Sequence, residues 1–540
     1  MALRREGAFF GCAAVFMCAL ITLPYLYAWL AAGPDLSFGG FLLNPIDGNS
    51  YLAKMYIGWR GGWRFTLPYT LETSDGAYIN LFYIFLGHLA RWTGLNLIYV
   101  FHIARLLAAM LMAGSVFRFL RLFRLDSRLE KISYVLLIIG SGLGWLGLPF
   151  DILTSDFWVA EIFPFLSSYT NPHFPLGLTL MLEILRAGVN ILSAPGTGWK
   201  FRMAGLSLLL GVVLPFGIPI LILVFGATAI SLVITSTQFK QNSRRNAFKL
   251  LIDHPVAWVL LGGGPVVLYE YWAIQLDPLL SGWNAQNLTP TPPVWDLAIS
   301  LSPPLLLAAI TNIKFRRRKN SEQKLLLAWM WLGLASSYIP FGLQRRFTLA
   351  LYLPAVILAF IGIDAYRVSR PGNVGGENKA RLLSVLLLIL ALPTNFVLVA
   401  SSYPATQRHD LSIYLTRGEI DAYKWIEDNT PPDTLIIASP SSGLFIPAYT
   451  GRRVIYGHPF ETVDADSQKS QLEHLISGDI SAVVAFAKGF SDRRVFLFWG
   501  PREIALNNIS PDLPVVYRSG GVTLYTLSPA GGFTENDLNQ

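Results

Sequence analysis

The chain of 540 residues is 53% hydrophobic and only 14% charged, with a mean hydropathy of +0.46, a balance that excludes an ordinary soluble enzyme and describes a polytopic membrane protein. Its formal net charge of +8 does not imply nucleic acid, because Lys and Arg gather in short segments between apolar runs, where they report membrane orientation. Cys12 and Cys18 both fall in the first apolar run, on different sides of a helix, so no disulfide framework is available.

The first run, Gly7 to Ala32, is long enough to cross a bilayer, and Arg4 and Arg5 before it keep the amino terminus in the cytoplasm. It lacks a small-residue cleavage site and reads as a retained anchor. Directly after it comes Asn44-Pro-Ile-Asp47-Gly-Asn-Ser-Tyr51-Leu-Ala-Lys54, which sets an acid and a base in a polar, turn-rich segment just outside the membrane. A carboxylate there is a candidate general base for chemistry on a substrate held at the bilayer surface. The alternative is that Asp47 caps a helix over Ser50 to Trp59.

The outer loop continues through Trp59-Arg-Gly-Gly-Trp63, Glu72 and Asp75. Ala77 to Trp92 spans only about 24 Å as a helix, short of the roughly 30 Å hydrocarbon core, and is expected to lie along the interface. That choice keeps the basic segment Arg118 to Arg128 in the cytoplasm. The second crossing is Leu97 to Leu120, with His102 and Arg105 one turn apart; the third is Ile132 to Phe150. A second outer loop, residues 151–173, is acidic and aromatic, holds Asp156 and Glu161, and leads to His173 at the mouth of the fourth crossing. Glu183 and Arg186 lie one turn apart on that helix and are expected to neutralise each other.

Met203 to Ile234, interrupted by Pro215 and Pro219 and flanked by Lys200, Arg202, Lys240, Arg244 and Arg245, fits two short crossings or a re-entrant pair. Then follow Leu250 to Tyr271, an outer loop from Trp283 to Asp296, Leu297 to Ile313, and the basic stretch Lys314 to Lys319. Leu325 to Phe341 leads to a short outer turn containing Arg345 and Arg346, and Thr348 to Ala365 returns to a basic inner loop around Arg367 to Arg381. By parity Arg345 and Arg346 stand on the outer side, where the orientation rule disfavours them. Something holds them there: a phosphate bound by their guanidinium groups, lipid headgroups, or an acidic loop residue such as Asp156 or Glu161.

Leu382 to Ala400 makes the last of about eleven crossings and places the carboxyl terminus outside. From Ser401 the composition becomes globular. A helix around Ile420 to Glu427 precedes strand-like runs at Thr434 to Ala438, Arg453 to Tyr456, Val495 to Trp499, Pro514 to Tyr517 and Val522 to Leu527, a small α/β domain. Ser439-Pro-Ser-Ser-Gly443 reads as an anion cradle or an ordinary turn. The fold expected is thus a polytopic α-helical membrane domain, residues 1–400, with a first outer loop at 33–96 bearing juxtamembrane helices and a second at 151–173, followed by an extracytoplasmic α/β domain, residues 401–540. No Walker loop, CxxC pair, HExxH or nucleophile elbow is present.

Asp47 in a long first outer loop, the short helix Ala77 to Trp92, the acidic second loop and the outer tail resemble the GT-C superfamily of integral membrane glycosyltransferases, particularly bacterial protein mannosyltransferases and aminoarabinose transferases. The resemblance implies a polyprenyl-phosphate sugar donor, a glycan, lipid or protein acceptor, and an inverting transfer at the outer face of the plasma membrane, with no nucleic acid involved. By that likeness Asp47 deprotonates the acceptor hydroxyl. Arg345 and Arg346, with Lys54 and Arg105, stabilise the leaving phosphate, while Glu72, Asp156, Glu161 and His173 position substrate. If the reaction depends on a divalent cation such as Mg or Mn, Asp47, Asp156 and Glu161 are its ligands. The first loop departs from many members, having Asp47 followed by Gly48 instead of paired acids. The alternatives are a transporter or flippase for a lipid-linked or anionic solute, and a non-catalytic envelope assembly protein.

Overall fold

The structure, a computed structural model, describes residues 2–193, 196–235, 252–314, 320–369, 374–490 and 492–527. The expected basic residues Lys240, Arg244 and Arg245, those at 315–319, and the part of the Arg367 to Arg381 loop at 370–373 lie outside the described residues, as do Leu250 and the side chains of Arg4 and Arg5. The chain is mostly helical, a multi-pass membrane protein. Among the described residues five helices are long and apolar enough to cross a membrane, or up to seven if each of two bent pairs is one span.

The chain divides into two compact units. One comprises residues 1–24, 101–270 and 289–403; the other comprises 25–100, 271–288 and 404–540.

In the first unit the helix Tyr352–Val368 is buried along most of its length and packs against Ser127–Ile139, Pro304–Lys314, Ser321–Ser336 and Val374–Ala391. Its apolar residues all round suit a helix enclosed by other helices. The expected third crossing is not one straight helix: Ser127–Ile139 bends by 60° into Gly144–Phe150, and Val294–Leu301 bends by 93° into Pro304–Ile313. Backbone groups released at such breaks need partners, since lipid supplies none. Neighbours provide them: Asn395 Nδ2 donates to Ile139 O at 2.7 Å, Ser141 N to Ala391 O at 2.7 Å, and Leu143 N to Ile299 O at 3.2 Å. Around Pro215, where two short crossings or a re-entrant pair are expected, the chain forms two helices, Thr197–Val213 and Gly217–Thr235. Glu183 accepts from Arg186 at 2.7 Å, as expected, and also from Arg118 at 2.8 Å and Arg202 at 3.1 Å.

In the second unit, helix Pro45–Trp59 crosses helix Leu81–Thr93 at two glycines. A Cβ on Gly58 would stand 1.9 Å from Ile84 O, and one on Gly87 would stand 1.8 Å from Met55 O. Leu81–Thr93 has 13 residues, too short to cross a bilayer. Trp283, expected in a loop, belongs to the helix Pro278–Gln286, capped by Asp277. Strand β1 (Leu36–Phe38) pairs antiparallel with β2 (Tyr414–Thr416). The five strand-like runs of the tail form β3 (Leu435–Ile437), β4 (Arg453–Val454), β5 (Val495–Trp499), β6 (Val515–Ser519) and β7 (Val522–Thr526). They make one sheet in the order β4-β3-β5-β7-β6, parallel from β4 to β5 and antiparallel beyond. The buried run Val495 to Trp499 suits the central strand, covered on both faces.

Candidate functional site

Asp47 does not cap a helix beginning at Ser50; it lies inside the first turn of Pro45–Trp59, whose N-cap is Asn44. Asn44 in the left-handed region, then Pro45 at the first helical position, is a strong start signal, and it begins the helix five residues earlier than the apolar pattern implied. Asn44 Oδ1 accepts from Asp47 N at 3.2 Å, while Asn44 Nδ2 donates to Asp47 Oδ2 at 2.5 Å. The helix terminus favours the negative charge.

The other carboxylate oxygen, Oδ1, faces His458 Nε2 at 3.4 Å. His458 is only 2% exposed, whereas the Asp47 side chain is 42% exposed, so the pair is sealed behind and open at the carboxylate. Burial on its protein side pushes the Asp47 carboxyl up. The His458 imidazole, the Lys54 ammonium and the Asn44 amide outweigh that and hold it below its ordinary value.

His458 stands in a turn after β4. Thr462 N donates to His458 O at 3.0 Å, and the Thr462 hydroxyl accepts from Gly457 N at 3.4 Å and His458 N at 3.3 Å. Three residues on, Glu461 returns to the Asp47 helix. Its Oε1 accepts from Ser50 Oγ at 2.5 Å and from Lys54 Nζ, and Lys54 Nζ also donates to Ser50 Oγ at 2.5 Å. Burial alone would raise the Glu461 carboxyl; Lys54, then His458, keep it below the usual range.

Of the residues expected to bind donor phosphate, Lys54 is thus buried and paired with Glu461. Arg105 is fully buried and donates to His102 Nδ1 at 3.2 Å, Ile21 O at 3.1 Å and Ser168 O at 2.9 Å, which ties helices together. Arg345 and Arg346 do meet an acidic loop residue: Glu161 Oε1 accepts from Arg345 Nε at 3.0 Å and Arg346 Nη1 at 3.1 Å. Burial would raise Glu161, and Arg346 with Arg345 hold it down. Two guanidiniums on one carboxylate leave one positive charge over, and both arginines stay partly exposed, Arg345 lying 5.3 Å over the Trp158 ring and Arg346 5.1 Å over Phe216.

Asp156 is enclosed. It accepts from Gly144 N at 2.9 Å, Thr154 Oγ1 at 2.5 Å and Ser300 Oγ at 3.3 Å, so it fastens the segment 151–173 to both bent helix pairs. Burial raises its carboxyl above the ordinary value. Glu72 is exposed, its backbone oxygen accepting from Arg453 Nη1 at 2.8 Å. His173 opens the helix His173–Ser193 with its ring 4.2 Å from Phe174. Ser439 to Gly443, read as an anion cradle or an ordinary turn, is the start of a short helix, Pro440–Gly443, capped by Ser439: Ser439 Oγ accepts from Ser442 N at 3.2 Å and Ser439 N donates to Glu503 at 2.8 Å.

Of the expected ligands of a divalent cation, Asp156 already accepts from three donors and Glu161 from two guanidiniums, while the Asp47 carboxylate is open on one side. Among the described residues no three His, Cys, Asp or Glu side chains converge on a metal-binding point. Gly48, where a paired acid would stand, has no room for one: a Cβ there would lie 2.2 Å from the Phe41 ring.

The sequence reading missed His458, Glu461 and Ser50. The faint signal was Gly457-His458-Pro459, a turn directly after a strand, with Glu461 three residues beyond His458.

No protein-family model matches the sequence, and no curated protein matches it. Solved structures do. The oligosaccharyltransferase of Archaeoglobus fulgidus, tethered to an acceptor peptide, is similar over 92% of this chain and 69% of its own, at 13% identity and a TM-score of 0.52. ArnT from Cupriavidus metallidurans bound to undecaprenyl phosphate covers 95% of this chain and 98% of its own, at 11% identity and a TM-score of 0.49. Arabinofuranosyltransferase AftD from Mycobacteria covers 97% of this chain and 40% of its own, at 13% identity and a TM-score of 0.49. All three are GT-C glycosyltransferases. The likeness to the first of them is one of fold, and the chain has a GT-C-like fold.

Proposed function

We propose that the protein is a glycosyltransferase that moves a sugar from a polyprenyl-phosphate donor to an acceptor hydroxyl at the outer face of the plasma membrane. One observation carries the reading: in a GT-C-like fold, a first-loop carboxylate is held at a helix start by Asn44 and His458 with its outer side open. The acceptor oxygen attacks the anomeric carbon while the bond from that carbon to phosphate breaks, and the electron pair leaves with the polyprenyl phosphate. Attack from the opposite face inverts the centre. Asp47 takes the acceptor proton and later yields it to solvent. A carboxylate below its ordinary range is ionised at neutral pH and suffices as base, because the acceptor hydroxyl acidifies as its new bond forms.

The leaving phosphate needs positive charge more than it needs an acid, and the guanidinium charge that Arg345 and Arg346 leave over beside Glu161 is of the kind that binds phosphate. The segment 401–540 serves as the outer domain that receives acceptor. This reading keeps about eleven crossings, with the amino terminus in the cytoplasm and the carboxyl terminus outside.

The two bent helix pairs favour a transporter, where broken helices line the transported solute's path. Their breaks are filled by Asn395, Thr394 and Asp156, which favours a structural role. Purified protein in liposomes, offered a panel of radiolabelled polyprenyl-phosphate sugars and membrane acceptors, separates the readings. Transfer with inversion is expected. Movement of donor across the bilayer with no transfer from any donor would replace the enzyme by the transporter.

A further inference from the structure

Asp47, Ser50 and Lys54 stand at spacings of three and four, on one face of the helix Pro45–Trp59. The turn from Gly457 to Thr462 meets that face at two points, His458 opposite Asp47 and Glu461 opposite Ser50 and Lys54. The buried ion pair registers the turn on the helix, so the approach of His458 to Asp47 is fixed by a second contact.

The protonation of the ring follows from its other side. His458 Nδ1 accepts from Phe460 N and Glu461 N, each at 3.1 Å. A proton on Nδ1 would set two backbone donors against a third, so the hydrogen-bond network assigns the proton to Nε2, which faces Asp47 Oδ1 at 3.4 Å. That separation is long for a hydrogen bond, as catalytic contacts without substrate often are. Among the described residues Nε2 has no other hydrogen-bond partner. The groups that face Asp47 are His458 from the turn, Lys54 and Asn44 from its own segment, and Tyr83 from the helix Leu81–Thr93.

We infer that His458 is a positioning residue for Asp47: its neutral Nε2–H, with the Asn44 amide on the other oxygen, fixes the plane of the carboxylate so that a lone pair points outward to the acceptor hydroxyl. The role in transfer rests on the function proposed above; the contact itself does not.

Two substitutions separate positioning from a merely structural role. His458→Asn keeps an acceptor where Nδ1 stood, preserving the turn, but does not reach Asp47. His458→Gln carries an N–H to where Nε2 stood but serves the turn less well. Positioning predicts that Asn lowers kcat at least tenfold, with KM for donor changed less than threefold, and that Gln recovers most of the loss. It also predicts that the infrared carboxyl band of Asp47, identified by its disappearance in Asp47→Asn, titrates at higher pH in His458→Asn than in wild type or Gln. A His458→Asn protein with wild-type kcat and an unmoved band would overturn the inference, as would equal loss in both variants with an unmoved band. If wild type transfers from no donor, the proposed function fails, while the band comparison still decides the role of His458.

Discussion

Lys54 is 5% exposed, and its ammonium pairs with the buried Glu461 carboxylate and donates to Ser50 Oγ. Breaking such a pair by removing one partner costs about 3–5 kcal/mol, because the remaining charge stays buried without compensation. Glu461→Gln is therefore expected to lower the apparent melting temperature markedly at pH 7. The pH dependence follows from the direction of the shift. A carboxyl held below its unfolded value contributes stability above that value, near 4.3 for Glu, and loses it as pH falls through the folded value. The difference between wild type and Glu461→Gln should shrink as the pH is lowered from 7 toward 3 in detergent melts. A constant difference would mean that Lys54 and Glu461 are not the pair described. At this scale the sequence was readable only where chemistry is local. Asp47 stood out beside Asn44 and Pro45, but the partners that give it an environment lie some four hundred residues away, at His458 and Glu461, and no periodicity connects them.

The helix Pro45–Trp59 holds its place because Gly58 and Gly87 let two backbones touch. Gly87→Leu forces the helices apart and, like other overpacking changes, should cost about 1–3 kcal/mol or more. Because the displaced helix carries Asp47, the same variant should lose transfer activity even where it remains folded. Unchanged activity with lowered stability would show that the crossing supports the fold and not the site. Elements with a strong period were legible: the helix Leu97–Leu120 has the expected bounds, and all five strand-like runs became strands. The bent helices were not, since hydropathy continues across Gly140 to Leu143 and across Ser302 and Pro303 while the backbone turns. Proline and glycine marked those places, yet a continuous apolar run outweighed them in a reading based on span length.

For the whole molecule, the sequence suggested a membrane domain followed by a tail, and the two compact units each draw on separated stretches of the chain. Residues 25–100 share a unit with 404–540, joined where β1 pairs with β2 and where the Asp47 helix meets the turn at His458. Contacts of that sequence separation leave no trace in composition. This architecture gives the tail a direct part in the candidate site, and the site's central claim is that Asp47 is the base. The most direct measurement is single-turnover transfer from polyprenyl-phosphate sugar by wild type and Asp47→Asn, each verified as folded and monodisperse. Removal of a positioned general base is expected to lower the rate by about 100- to 10,000-fold, with donor binding retained. Equal rates in the two proteins would contradict the assignment of Asp47 and, with it, the reading of this constellation as the active site.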